Sequence, residues 1–244
     1  MGLVDVILIY THIPKTGGNT FAGVLYSQYH YAKEVCSVYI HEELPKNVDF
    51  NTIKLIIGHR QFGLHKEVPK PCKYITMLRD PVDRVVSNYY FNLKFHGKTP
   101  EESPFEPFIK RYPNRQTRWV AGEDREDLEL AKDNIEKHFI AVGITEMFNE
   151  SLYMMKQKLG WGDITYKQFN VNPKRPTTDT FSKEVIDCIK ENNALDIELY
   201  NWAKSRFKHE MGRLDPRSRK ELEDYKSSLC KGSSTEYANP NDFM

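Results

Sequence analysis

Residues 4–20 read VDVILIYTHIPKTGGNT, and this stretch decides the fold. Its first part, Val4–Tyr10, is an apolar and largely β-branched run with the length of a strand. A polar loop with two adjacent glycines follows, and apolar residues then recur at helical spacing from Phe21 onward. The stretch therefore predicts a buried strand, a glycine-containing loop and a helix in direct succession.

Other parts of the chain repeat this alternation of strand and helix. Helical patterns cover residues 126–138, 149–159 and 194–207, and Asp80-Pro81 marks a further helix start because Asp can cap and Pro suits the first helical position. Such alternation predicts a single α/β domain with a central, mostly parallel sheet flanked by helices on both faces. The other apolar segments of strand length are residues 53–58, 74–78 and 139–143.

Composition excludes several classes of protein. The 244 residues carry 35 basic and 34 acidic side chains, so the overall charge gives no reason to expect binding to nucleic acid or to a membrane surface. The four cysteines form no Cys-x-x-Cys pair, and we expect reduced thiols and no metal site. No linker divides the chain, so residues 1–211 are predicted to form the domain and residues 212–244 a charged, loosely packed tail.

The N-terminal segment is apolar but short. It lacks a basic region and a small-residue cleavage site, and no stretch approaches the roughly 20 apolar residues that span a bilayer. These features predict a soluble, cytoplasmic protein. They also leave open a catalytic domain that was cut from a longer protein of the secretory pathway.

The first candidate site is the loop at residues 14–20, PKTGGNT. Two glycines allow backbone N–H groups to close around an anion, and the helix that follows adds its positive N-terminal end. Lys15 contributes a full charge, which suits a phosphate. The loop is not a Walker A motif, because Lys15 precedes the glycines. The alternative interpretation is an ordinary turn between a strand and a helix.

The second and third candidate sites follow two other predicted strands. Arg79 lies where a strand ends, and Ser87 lies about two turns into the next helix, so a guanidinium and a hydroxyl could hold a second phosphate. Alternatively, Arg79 or Arg84 forms surface salt bridges with neighbouring aspartates. His59 follows residues 53–58 and has the chemistry of a general base, although a lone histidine is more often structural.

These residues resemble the PAPS-dependent sulfotransferases, and among them the carbohydrate branch that includes the heparan and uronyl 2-O-sulfotransferases. The loop at 13–20 is similar to the family's segment for the 5′-phosphosulfate of the donor. Residues 78–91 are similar to its 3′-phosphate segment, and Gly58-His59 to the position of its catalytic histidine. Weaker similarities are found at residues 116–119, 143–146 and 196–200.

The resemblance implies a P-loop-like fold, no metal, and in-line sulfuryl transfer from PAPS to an acceptor hydroxyl on a carbohydrate or a small alcohol. Lys15 would neutralise the leaving group and His59 would remove the acceptor's proton. Lys174 and Arg175 would belong to a lid over the nucleotide. The residues that would hold the donor are Lys15, Thr16, Gly17, Gly18, Asn19, Thr20, Arg79 and Ser87.

Two alternatives stay open at the level of sequence. One is a kinase-like phosphotransferase that uses ATP, and the other is a non-catalytic protein that binds the nucleotide. An acidic acceptor would also need a basic groove, for which solvated surface charge is the competing interpretation. The residues available for such a groove are Arg60, Lys66, Lys70, Arg115 and Arg118.

Overall fold

The structure, a computed structural model, describes residues 5–38, 43–166 and 176–231. Within these ranges a five-stranded sheet has the order β2-β3-β1-β4-β5, and every neighbouring pair of strands is parallel. The prediction of a parallel α/β sheet is confirmed. The strands are β1 (Ile7–Thr11), β2 (Val35–Val38), β3 (Leu55–Gly58), β4 (Cys72–Leu78) and β5 (Phe139–Ile144).

Helices flank the sheet and account for most of the remaining described residues. The sequence did not predict β2, α4 or α5, which are too short, at four to seven residues, to show a clear period. The helices are α1 (Gly18–Gln28), α2 (Tyr31–Glu34), α3 (Pro81–His96), α4 (Phe105–Arg111), α5 (Arg115–Ala121), α6 (Leu128–His138), α7 (Phe148–Leu159), α8 (Lys183–Asn192), α9 (Ala194–Gly212) and α10 (Pro216–Lys231).

Strand β1 lies at the centre of the sheet and is buried along its whole length. Leu8 and Tyr10 pack into a large apolar cluster on one face, while Ile7 and Ile9 pack into a smaller cluster on the other. Successive side chains of a strand point to opposite faces. The continuous apolar run at the start of the chain therefore follows from burial of both faces of this strand.

The order of the strands places the predicted sites together. Strand β1 has β3 on one side and β4 on the other, and Thr11 pairs with Gly58 in register. In parallel α/β sheets, ligands bind beyond the carboxyl ends of the strands, where the direction of winding reverses. The loops that follow β1, β3 and β4 meet at this edge.

The helix start predicted at Asp80-Pro81 is present. The Asp80 carboxylate accepts a hydrogen bond of 3.0 Å from the backbone N–H of Asp83, and Pro81 is the first residue of α3. The carboxylate satisfies one of the N–H groups that every helix leaves without an intrahelical partner. This cap fixes the direction in which the chain leaves β4 and turns into α3.

The C-terminal segment differs from the prediction. Residues 216–231 form α10, and its Leu222 is buried in the large core cluster together with residues of α7 and α9. The abundance of charge in this segment suggested a loose tail. The helix is nevertheless attached to the domain, because the hydroxyl of Tyr225 donates to the carbonyl of Ile164 at 3.1 Å and Lys226 pairs with Glu150 on α7. None of the helices in the described ranges has the length and apolarity needed to cross a membrane.

Candidate active site

The loop between β1 and α1 has an unusual backbone. Lys15 and Gly17 both have positive φ, at 70° and 82°, and Gly17 is the N-cap of α1. A left-handed conformation is natural for glycine but uncommon for lysine, so the surrounding structure must hold Lys15 in place. Thr16 does part of this, because its buried hydroxyl donates to the carbonyl of Ile13 at 2.8 Å.

The same loop directs the N-terminus of α1 toward the edge of the sheet. Gly18 and Thr20 are buried in the first turn, and Asn19 between them is half-buried. The first N–H groups of an α-helix lack intrahelical acceptors and carry the positive end of the helix dipole. The geometry that the sequence predicted for an anion, a helix N-terminus beside a lysine, is therefore present.

His12 is packed against the start of α1. A Cβ atom on Gly18 would lie 1.7 Å from Nε2 of His12, so the ring occupies the space that any larger residue at position 18 would need. The His12 ring also stacks on Tyr10 and His59, with centroid distances of 5.3 and 4.1 Å. Burial, aided by the charges of His59 and Lys15, holds the pKa of His12 well below its usual value, so the ring is neutral at physiological pH.

His59 is held in one tautomer. Its Nδ1 lies 2.8 Å from the carbonyl oxygen of His12, and because a carbonyl only accepts, Nδ1 must carry the proton and donate it. The other nitrogen, Nε2, then has a lone pair and can accept a proton. Burial lowers the pKa of His59, the hydrogen bond to His12 opposes this, and Arg115 lowers it further. The imidazole is therefore neutral and available as a base at neutral pH.

Arg79 connects the second segment to the first. Its Nη1 donates to the carbonyl of Lys15 at 3.0 Å, and its Nε donates to Asp83 at 2.8 Å. The salt bridge that was considered as an alternative is thus present, but the Arg79 side chain is 17% exposed and also reaches the glycine loop. Arg79 therefore lies between the carboxyl ends of β1 and β4, and its ion pair with Asp83 is not an isolated surface contact. Ser87 lies half-buried in the second turn of α3.

Lys15 lies between the two segments. Its carbonyl accepts from Arg79, and its ammonium lies 4.2 Å from the centre of the Phe91 ring on α3. A cation over an aromatic face is attracted by the ring's negative face. Lys15 therefore belongs to the loop after β1 by its backbone and contacts the helix after β4 by its side chain.

The alternative interpretation of Arg84 as a partner in a surface salt bridge is wrong. Arg84 does not form a surface salt bridge with Asp80 or Asp83, but is 1% exposed, with its guanidinium 4.0 Å from the buried carboxylate of Asp196. Burial lowers the pKa of Arg84 to about 10, and the charge of Asp196 opposes this shift. The error arose because Arg84 and Asp83 are neighbours in sequence but point in different directions around α3, Arg84 into the core and Asp83 toward the surface.

The basic residues considered for an acceptor groove separate into two groups. Four of them form ion pairs with carboxylates, which matches the alternative of solvated surface charge: Arg60 with Glu67, Lys66 with Glu123, Lys70 with Asp5, and Arg118 with Asp124 and Glu126. Arg115 differs, because its guanidinium lies about equally far from the rings of Tyr112 and Trp119, at 5.0 and 5.3 Å. It is also the one whose charge acts on His59.

His65 follows His59 by six residues but does not belong to this site. His65 hydrogen-bonds to the hydroxyl of Tyr74 at 2.9 Å and stacks on His138, so its ring belongs to a separate aromatic cluster. Lys174 and Arg175, assigned to a lid, lie outside the described residues, and their role stays a prediction. Within the described ranges, no group of three or more His, Cys, Asp or Glu side chains could hold a metal ion.

The sequence did not indicate a role for several residues that support the loops of the site. The hydroxyl of Thr145 lies 2.9 Å from the carbonyl of Thr16 and 3.0 Å from that of Leu78, so it bridges the two strand ends. Gln116 and Glu146 bond the backbone at Arg79 and Asp80. The available signal was their position in two of the three segments of weaker similarity, residues 116–119 and 143–146.

A parallel sheet with two such segments at neighbouring strand ends is an arrangement typical of nucleotide-binding α/β proteins. Residues 53–122 match the family model of the sulfotransferase domain. Heparan sulfate 2-O-sulfotransferase 1 of mouse (Mus musculus) is 26% identical over 83% of this chain and 71% of its own length. The protein-tyrosine sulfotransferase of Arabidopsis thaliana is 28% identical over 36% of this chain and 18% of its own length.

Among solved structures, mouse sulfotransferase SULT7A1 complexed with PAP is 14% identical, with a TM-score of 0.39, over 94% of this chain and 85% of its own. The sequence matches confirm the resemblance that the motifs indicated. The chain is therefore similar in sequence to sulfotransferases over 83% of its length.

Proposed function

We propose that this enzyme transfers the sulfuryl group of PAPS to a hydroxyl of a saccharide, with His59 as the general base. The observation that carries this proposal is the hydrogen bond from His59 Nδ1 to the carbonyl of His12. It leaves Nε2 free to accept a proton, and the same His12 packs on Gly18 at the start of α1. The base and the loop for the donor are thereby coupled through one residue.

The loop after β1 suits the phosphosulfate end of PAPS. The absence of a side chain on Gly18, the N-terminus of α1 and the charge of Lys15 all favour a bound anion. Asn19 and Thr20 stand in the first turn of the same helix. The Thr16 hydroxyl already donates to Ile13, so we expect Thr16 to contribute through its backbone.

The junction after β4 suits the 3′-phosphate. Arg79 would supply a guanidinium and Ser87 a hydroxyl, a combination that matches the acceptor oxygens of a phosphate. Because Arg79 is already oriented by Asp83 and by the carbonyl of Lys15, little side-chain freedom remains to be lost on binding.

In the transfer step, the acceptor oxygen forms a bond to sulfur while the bond from sulfur to the bridging oxygen of the donor breaks in line with it. The acceptor proton passes to Nε2 of His59. The leaving nucleotide gains negative charge, and Lys15 is the fixed cation that stabilises it in the transition state. The neutral state of His12 matters here, because a second charge beside His59 would make it a weaker base.

The saccharide acceptor is proposed from two sources. Relatives that cover most of the chain are named as heparan sulfate 2-O-sulfotransferases. Arg115, whose charge acts on His59, lies over the exposed ring of Tyr112, and a cation with an aromatic face is a common contact for a sugar and its acidic groups. A small alcohol remains the alternative acceptor.

Two measurements test the proposal. PAP should raise the melting temperature of the protein more than ADP with Mg²⁺; a preference for ADP and Mg²⁺ would instead support a kinase-like enzyme. Sulfate transfer from labelled PAPS should then be measured across saccharides and small alcohols. A protein that binds PAP but transfers sulfate to none of them would favour a non-catalytic role.

A matched pair of histidine variants tests the base. His59→Ala should lower kcat by about 10²–10⁴-fold, the usual contribution of a general base, while PAP binding is retained. His96→Ala, on the exposed face of α3, should leave both unchanged. Normal transfer by the His59 variant would show that another group takes the proton.

A further inference from the structure

The peptide units at the junction of β4 and α3 are held by a side-chain amide from another part of the chain. The backbone N–H of Arg79 donates to Oε1 of Gln116 at 2.9 Å, and Nε2 of Gln116 donates to the carbonyl of Arg79, also at 2.9 Å. Gln116 is fully buried. The oxygen and the nitrogen of the Gln116 amide thus both bond the backbone of Arg79, the residue assigned to the 3′-phosphate.

A second side chain holds the next residue from the solvent side. The backbone N–H of Asp80 donates to Oε1 of Glu146 at 2.9 Å, and Oε2 of Glu146 accepts from the hydroxyl of Tyr200 at 2.8 Å. Tyr200 is itself 4% exposed, so its hydroxyl is fixed by packing. Three successive backbone groups, two N–H and one carbonyl, are therefore bonded by Gln116 and Glu146.

Both of these side chains are supported by helix α9. Asp196 is fully buried, and its two carboxylate oxygens accept from the backbone N–H groups of Gln116 and Thr117 at 3.0 and 2.7 Å. Asp196 and Tyr200 are four residues apart, so they lie on the same face of α9. An anion at the start of α5 is favoured by the helix dipole, which strengthens this anchor.

From this arrangement we infer that Gln116 and Glu146, supported from α9 by Asp196 and Tyr200, are positioning residues that orient Arg79 for the 3′-phosphate of the donor. The inference rests on the proposed function of Arg79. These residues do not need to touch the nucleotide. They fix the peptide units on either side of the Arg79 Cα atom and so decide where its guanidinium points.

The alternative is a purely structural role, and the two make different predictions. A structural role affects the stability of the whole domain and hence the binding of any nucleotide equally. A positioning role acts on one phosphate. Adenosine 5′-phosphate lacks the 3′-phosphate of PAP but is otherwise the same molecule. The ratio of Kd values, that of adenosine 5′-phosphate divided by that of PAP, therefore isolates the contribution of the 3′-phosphate and of the residues that hold it.

The main experiment measures the Kd of PAP and of adenosine 5′-phosphate by calorimetry for the unmodified chain, Arg79→Ala, Gln116→Met and the double variant. Gln116→Met keeps the length of the side chain but removes both hydrogen bonds. We expect it to weaken PAP binding about tenfold, the usual size of a hydrogen-bonding loss at a charged group, with little change for adenosine 5′-phosphate. In the double variant, Gln116→Met should add little to the loss caused by Arg79→Ala.

A second pair of variants keeps the inference testable if Gln116→Met does not fold. Glu146→Gln retains an acceptor for Asp80 and a group for Tyr200, and should keep the ratio of Kd values within about twofold. Glu146→Leu retains neither, and should lower the ratio about threefold to fivefold, less than Gln116→Met because this hydrogen bond is exposed to solvent.

The outcomes distinguish a failure of the proposed function from a failure of the positioning inference. If the unmodified chain does not prefer PAP over adenosine 5′-phosphate, the proposed function is wrong and the inference falls with it. If Arg79→Ala abolishes the preference but Gln116→Met and Glu146→Leu keep it, even with lower melting temperatures, the proposed function survives and the positioning inference is overturned.

Discussion

The two regions proposed to bind the phosphates of the donor are built in different ways. The loop between β1 and α1 is shaped mainly by residues close in sequence: Thr16 bonds Ile13, and His12 packs on Gly18. The junction between β4 and α3 is held from far along the chain. Gln116 is 37 residues from Arg79, and Glu146 is 66 residues from Asp80.

This difference separates two ways of making an anion site. In the first region the backbone N–H groups and the cation of Lys15 are proposed to bind the anion, so the shape of the loop is what matters. In the second region a side chain is expected to bind, and its direction depends on support from α5 and α9. We therefore expect substitutions in the first region to affect the reaction and the fold, and those in the second to affect mainly nucleotide affinity.

The largest expected effect concerns Lys15. Lys15→Ala removes the cation from the leaving group, and kcat should fall by about 10²–10³-fold, as when one preorganised transition-state donor is lost. Steady-state kinetics with saturating PAPS would measure this. Lys94→Ala, an exposed lysine on α3, is the control. A kcat close to that of the unmodified enzyme would mean that the first region binds the donor without taking part in the transfer.

Gly18→Ala tests whether the first region depends on backbone shape. The new Cβ would meet Nε2 of His12, and because that ring is stacked between Tyr10 and His59, the clash should lower the free energy of unfolding by about 1–3 kcal/mol. Denaturant titration and the PAP-induced thermal shift would show both consequences.

Two further variants sharpen this test. Gly212→Ala, which adds a methyl group to open space, should change little. Adding His12→Ala to Gly18→Ala should recover part of the thermal shift, because it removes the clashing ring. If Gly18→Ala alone were neutral, the close packing of His12 on α1 would not matter for the fold.

The first region should also make stability sensitive to acid. The pKa of His12 is lowered well below 6.5 and that of His59 is lowered too, mainly by burial, while in the unfolded chain both titrate near 6.5. Below pH 6.5 the unfolded chain therefore binds more protons than the folded one, and each histidine should reduce stability by about 1.4 kcal/mol per pH unit until its folded pKa is reached.

Stability at pH 7.5 and 5.5, measured for the unmodified chain and for His12→Asn, would check this expectation. The variant should lose less stability between the two pH values. Equal losses would indicate that other groups cause the acid sensitivity and that His12 is not held neutral by burial.

The smallest expected effect is that of Thr145→Val, which breaks a link between the two regions. Removal of the hydroxyl near the carbonyls of Thr16 and Leu78 should cost about 1 kcal/mol of stability, the net value of a typical hydrogen bond. Thr52→Val, at an exposed hydroxyl that bonds the carbonyl of Asp49, is the control. Equal effects of the two variants would show that the link is unimportant.

Much of the fold could be predicted because its signals are local. The apolar run of β1, the glycines at 17 and 18 and the Asp80-Pro81 cap act within a few residues, and each element lies where the pattern indicated. The short elements β2, α4 and α5 could not be predicted in this way, since their stability comes from packing rather than from their own periodicity. The same reason applies to α10, which Leu222 anchors to the core.

The sequence by itself determined the strand–loop–helix unit at residues 7–28, the cap of α3 and the residue types available for an anion and a base. The tertiary structure alone decided that His59 donates to His12, that Arg84 is buried against Asp196, and that Gln116 holds Arg79. Hydrogen bonds within a few residues are set by local geometry, whereas those across the sheet depend on which strands become neighbours. That choice is made by the burial of the whole core, which no single segment contains.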